Sequence, residues 1–93
     1  MYARVATSIA PKDKLDETRK SNNDNAFQLA KKQKGYKGHL FLQNPETGEE
    51  LSISIWDTEE NMKAASFPQA RNRAEAMGVK FIGTKNYTVG IKD

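Results

Sequence analysis

A chain of 93 residues with a net charge of +3 and no cysteine is one domain, spanning residues 1–93, with no disulfides and no cysteine-based zinc or redox centre. Its one histidine excludes a multi-histidine metal site within a single chain, and no run approaches the ~18 apolar residues of a membrane span. Only 37% of residues are hydrophobic, which raises disorder as an alternative, but they fall in strand patterns and the net charge is small.

A domain of this size buries only about 60–65% of its unfolded surface. A modest core favours a partner that completes it, most simply a second copy. The opening Met1-Tyr2-Ala3-Arg4-Val5 lacks the apolar run of a signal peptide. With the lack of cysteine, this makes a cytoplasmic location the expectation. Lys31-Lys32 with Lys34 and Lys37 is the one basic cluster, and it reads as a solvated helix end, where cations are favoured.

Tyr2 to Ile9 alternates and reads as strand one. Pro11 stops it and opens helix one, about Pro11 to Gln33, with Leu15, Thr18, Asn22, Ala26 and Leu29 or Ala30 on one face. Ser21-Asn22-Asn23-Asp24-Asn25 are poor helix formers whose side chains compete for the backbone, so a kink or irregular turn is expected near Asn23. Gly35 suits the left-handed conformation that closes the helix.

Strand two follows, His39 to Asn44, then a Pro45-Glu46-Thr47-Gly48 turn and strand three, Glu50 to Trp56. Asp57, with Glu60 three residues on, has the pattern of a capping box. Pro68 divides helix two into Thr58 to Ser66 and Pro68 to Met77, the second piece carrying Ala70, Ala74 and Met77 inward. The last segment, Val79 to Lys92, reads as strand four with a bulge or bend over Gly83-Thr84-Lys85-Asn86. The order βαββαβ predicts an α+β, ferredoxin-like fold: a four-stranded antiparallel sheet with two helices on one face. The other face must be covered or functional.

In strand three, Leu51, Ile53 and Ile55 form the more apolar set and are expected to meet the helices. Ser52, Ser54 and Trp56 then face the other way. Trp56 could stack on a planar ligand, although a Trp between a strand and a capped helix also fills the corner of a core. His39 shares a face with Phe41 and Gln43. As a neutral imidazole it is a candidate general base at physiological pH. Arg4, on strand one, needs a carboxylate partner or an anionic ligand, and an ion pair within the chain is the expectation. Tyr36 lies between two glycines, at a pocket mouth or against helix one.

The opening strand, the Gly35-Tyr36-Lys37-Gly38 turn, the Thr47-Gly48 hairpin and Leu51-Ser52-Ile53-Ser54-Ile55-Trp56-Asp57-Thr58-Glu59-Glu60-Asn61 together resemble the antibiotic-biosynthesis-monooxygenase-like group. The resemblance spans nearly the whole chain. It implies a homodimer whose two open sheets face each other as a dimeric α/β barrel, with a pocket on each side. The group includes cofactor-independent oxygenases, which need a pocket and a base or donor to activate an electron-rich, acidic substrate toward oxygen. For this chain the resemblance implies such a role on a small aromatic or polyketide-like molecule, with no cofactor and no metal. The candidate pocket residues are Arg4, Tyr36, Phe41, Ser54 and Trp56, and the candidate base is His39. Haem-degrading members use an asparagine on the first strand and a tryptophan and a histidine on the second helix. Thr7 or Ser8 stands in place of the first, and Thr58 to Met77 contains neither of the others.

Two further readings compete. The RNA-recognition motif has the same element order, and Lys34 to Phe41 resembles its aromatic signature. Lys37 is an extra residue, however, and the segment precedes the second strand rather than lying on the third. No nucleic-acid partner is therefore expected. A non-catalytic dimer, in stress physiology or binding a small hydrophobic ligand, predicts a pocket without a perturbed ionisable group. The oxygenase reading predicts a titratable side chain in an enclosed apolar cavity.

Overall fold

The computed structural model describes every residue from Met1 to Asp93. Strands β1 (Tyr2–Ile9), β2 (Tyr36–Gln43), β3 (Glu49–Trp56) and β4 (Lys80–Thr88) form one antiparallel sheet in the order β2-β3-β1-β4. The helical segments pack on one face of it. This is the ferredoxin-like α+β plan. No helix is long and apolar enough to cross a membrane.

Between β1 and β2 the chain makes a 3₁₀ turn at Lys12–Lys14, helix α1 (Leu15–Ser21), a π-helical segment at Asn22–Ala26 and helix α2 (Phe27–Lys31). The asparagine run thus widens the helix by a π-turn and does not break it. Such turns occur where side chains disturb the regular ladder, and often beside functional sites. β2 starts at Tyr36, earlier than alternation alone implies, because the pairing with β3 skips Lys37 in a bulge between Tyr36 and Gly38.

Pro68 divides the second helical region as expected, into α3 (Glu59–Ala64) and α4 (Pro68–Ala76). The cap of α3 falls one residue later than the sequence implies. Thr58, not Asp57, accepts from the Asn61 backbone N–H at 3.1 Å, while Asp57 accepts from the Asn61 side chain at 2.8 Å. That side-chain bond, with a backbone bond and Lys37, holds the Asp57 carboxyl below its ordinary range. Gly35 lies against this cap with φ 85, and any Cβ there would collide with Asp57 and Asn61. The irregularity in the last strand lies one step before the predicted one. Register shifts where Thr7 pairs with Gly83 and Ser8 with Phe81, leaving Ile82 as the extra residue.

Cross-strand register sorts the sheet into rows. Toward the helices run Gln43-Glu50-Ser8-Phe81, Phe41-Ser52-Ala6-Thr84, His39-Ser54-Arg4-Asn86 and Tyr36-Trp56-Tyr2-Thr88. Away from them run Leu42-Leu51-Thr7-Gly83, Leu40-Ile53-Val5-Lys85 and Gly38-Ile55-Ala3-Tyr87. This reverses the expected assignment of faces. Trp56 is 0% exposed and packs with Met62 and Ala65 beneath the helices, flanked by Tyr2, Tyr36 and Phe67. Leu40 and Tyr87, on the far side, are 52% and 51% exposed. The aromatic side chains decide it: Tyr2, Tyr36 and Trp56 lie in phase with Ser52 and Ser54, and packing them under the helices leaves the Leu and Ile set on the open face.

Candidate functional site

The floor residues Ala6, Ser8 and Ser52 are small, and so are Ala26, Ala65, Ala70 and Ala74 in the roof above them. Small residues on both sides leave a cleft of about 410 Å³ between sheet and helices. That volume lies within the range of small-molecule sites, about 300–1,000 Å³. Phe41, Phe67, Phe81 and Met77 give it apolar and aromatic walls. Its ionisable groups are Arg4, Glu50 and Arg71.

Glu50 is 2% exposed although it is an acid. It sits in register with Ser8 on one side and Gln43 on the other. Thr18 of α1 donates to its Oε2 at 2.6 Å. Gln43 Nε2 donates to the same oxygen at 2.9 Å and is itself tied to the Leu15 carbonyl at 2.8 Å. The other carboxylate oxygen, Oε1, takes no hydrogen bond within the chain, and Glu50 lines the cleft. Two neighbours therefore fix the carboxylate in orientation while leaving one oxygen free. Glu50 is not among the site residues expected from the sequence. The available signal was its phase: Glu50 shares a face with Ser52, Ser54 and Trp56.

Arg4 lies two floor rows along β1 from Ser8, the neighbour of Glu50. At about 3.3 Å per residue the separation along the strand is about 13 Å. Its Nη1 donates to the Ala65 carbonyl at 2.9 Å. The expected ion pair is absent: the salt bridges of the chain are Arg19–Asp16, Lys63–Glu59 and Arg71–Glu75. Burial without a counter-charge pushes the Arg4 guanidinium below its ordinary value. Arg71, on α4, lays its guanidinium over the Phe81 ring at 4.6 Å from the centroid.

The other expected site residues divide. Phe41 and Arg4 both line the cleft. Ser54 and Trp56 do not: Trp56 Nε1 donates to Ser54 Oγ at 2.9 Å inside the packed corner. Tyr36 packs edge-on against Phe27 and Trp56, and burial pushes its hydroxyl above the ordinary value. His39 lies in an adjoining hollow with Asn22, Asn23 and Phe27 and stacks on the Phe27 ring. Its Nε2 is 2.9 Å from Ser52 Oγ, and Ser52 lines the main cleft. Nδ1 is buried without a partner. An orphaned lone pair costs less than an orphaned N–H, so the proton belongs on Nε2, donating to Ser52. Desolvation pushes the imidazole below its ordinary range and keeps it neutral at physiological pH. His39 thus positions Ser52 from behind the wall. No group of three or more His, Cys, Asp or Glu side chains stands close enough together to hold a metal ion.

No family model and no curated protein matches the sequence. Solved structures do match in fold. A proposed antibiotic biosynthesis monooxygenase from Deinococcus radiodurans superposes with a TM-score of 0.78 at 18% identity, covering 100% of this chain and 96% of that one. A second protein proposed to be of this kind, from Chloroflexus aurantiacus, gives 0.70 at 16%, covering 99% and 96%. SnoaB, a cofactor-independent oxygenase from Streptomyces nogalater, gives 0.70 at 11%, covering 98% and 94%. The chain therefore has the fold of the antibiotic biosynthesis monooxygenase structures over its whole length, with a cleft between sheet and helices as its candidate site.

Proposed function

We propose that the protein is a homodimeric, cofactor-independent oxygenase that takes a small aromatic substrate with an acidic C–H or O–H into the cleft. One observation carries the reading: a buried carboxylate, Glu50, borders a partly apolar cavity with one oxygen held and the other free. That is the arrangement of a proton acceptor, and an inert binding cavity has no need of it. Its likeness in fold to SnoaB supports the same direction. Glu50 Oε1 takes the substrate proton, and Ser52, held by His39, supplies a hydrogen bond to the substrate oxygen. The resulting carbanion is oxidised by dioxygen as a C–O bond forms. Cleavage of the O–O bond then releases water and leaves a carbonyl.

Anthrone is a suitable probe because its methylene is acidic and its oxidation balances: one anthrone and one dioxygen give one anthraquinone and one water. An oxygen electrode with metal-free protein should record uptake well above the uncatalysed rate, with anthraquinone appearing in equal amount. Uptake no faster than in buffer would leave the binding cleft without this chemistry.

The dimer rests on the open sheet face. Ile9, Leu40, Leu42 and Tyr87 are exposed there beside half-buried Val5, Leu51, Ile53 and Ile55. Contiguous apolar surface of this kind marks an interaction site. Light scattering should give twice the chain mass. Ile53→Lys, in the middle of that face, should return it to one chain mass, and a wild-type value of one chain would remove the barrel.

A further inference from the structure

The cleft holds two separated ionisable ends on a floor of small residues. One end is Glu50 with its Thr18 and Gln43 ties. The other is Arg4, which has five N–H donors and spends one side-chain bond on the Ala65 carbonyl. No carboxylate of the chain lies within salt-bridge distance of it. The row on either side of Arg4 offers Ser54 and Asn86, neither of them charged. Ser54 is already occupied by the Trp56 indole. Glu50 cannot serve, since strand geometry sets the two rows about 13 Å apart.

A cation taken partly out of water without a counter-charge is destabilising unless something neutralises it. Arg4 stands on a central strand hydrogen-bonded on both edges, so its backbone has no freedom to carry it back to solvent. Its planar fork matches a carboxylate bidentately. Arg71 also lines the cleft, with its guanidinium 3.9 Å from the Glu75 carboxylate of its own helix, which leaves Arg4 as the cation of the lining without a counter-charge.

We infer that the cleft is an anion-selective site: its ligand is an aromatic acid whose carboxylate seats on Arg4 and whose ring system extends over Ala6 and Ser52 toward Glu50. The two charges sort the ligand by both ends. An acid group is drawn to Arg4 and repelled at Glu50, so a monocarboxylate enters in one orientation with its neutral, proton-bearing end at the base. This inference rests on the cleft being the ligand site and not on the oxidation chemistry.

The test compares 2-naphthoate with its neutral isostere 2-naphthamide by calorimetry on the purified full chain. Wild type should bind naphthoate at least ten-fold more tightly. Arg4→Gln should bind the two equally while keeping its affinity for the amide, Arg4→Lys should keep part of the preference, and Arg71→Gln most of it. Equal affinities in wild type would overturn the anion site and leave the cleft standing. An undiminished preference in Arg4→Gln would also overturn it. Binding of neither probe would overturn both the anion site and the cleft as a ligand site. The wild-type comparison needs no variant, so it decides the matter even if Arg4→Gln folds poorly. Failure of anthrone oxidation with naphthoate still preferred would sink the oxygenase reading alone.

Discussion

Glu50→Gln should lower the rate of anthrone oxidation by roughly 10²–10⁴-fold, the usual contribution of a positioned base, with little change in KM. The substitution is nearly isosteric. The Gln carbonyl oxygen can occupy the Oε2 position and keep both the Thr18 and Gln43 bonds, which now measure 2.6 and 2.9 Å. Its amide then stands in place of the free carboxylate oxygen and accepts no proton. The fold should therefore survive while the chemistry does not, and an unchanged far-ultraviolet dichroism spectrum is the control. A rate within three-fold of wild type would show that Glu50 is not the base. Attention would then return to His39 acting through Ser52. Glu50→Ala is the less informative variant, because it strands Thr18 and Gln43 as well as removing the base.

Trp56→Ala should cost about 3–5 kcal/mol. Domains of this kind hold only about 5–15 kcal/mol in total, and here the core is thin: Trp56 and Met62 are its largest fully buried side chains. Truncation removes the contact that Tyr2, Tyr36 and Phe67 share and takes from Ser54 the indole N–H now 2.9 Å away. At about 4–8 °C per kcal/mol for a domain of this size, the thermal midpoint should fall by tens of degrees. Trp56→Phe should recover much of the loss. The measurement is a denaturant titration followed by circular dichroism. A loss under 1 kcal/mol accompanied by weaker probe binding would instead make Trp56 a ligand platform. The corner packing predicts the opposite pattern.

Much of the fold is legible in the residues. Alternation marked the four strands, Pro68 divided the second helical region, and the asparagine run announced the irregular turn near Asn23. Which face of the sheet lies inward was not legible. Alternation separates Leu51, Ile53 and Ile55 from Ser52, Ser54 and Trp56, but it carries no sign. The sign was set by the expectation that the more apolar set, Leu51, Ile53 and Ile55, meets the helices. Here that set is outward, and Trp56 lies inward with the serines. Arg4 was legible as a residue in need of a partner, but the absence of that partner within the chain was not. Glu50 carried only one signal, its phase with Ser52, Ser54 and Trp56. Its meaning depends on Thr18 and Gln43, 32 and 7 residues away, which only the folded chain brings to it.

The sheet order β2-β3-β1-β4 has a consequence for how the molecule is made. The strand at residues 2–9 is flanked by residues 49–56 and 80–88, so its second edge stays open until nearly eighty further residues have been synthesised. Pairings of such long range form slowly, and an open edge is a template for another chain. For that interval the nascent protein presents an unpaired strand with Val5 and Ile9 on an uncovered apolar side. Arrival of residues 80–88 therefore does more than complete the sheet. It closes the period in which the chain is most exposed to aggregation, and the yield of folded protein should depend on how fast β4 docks.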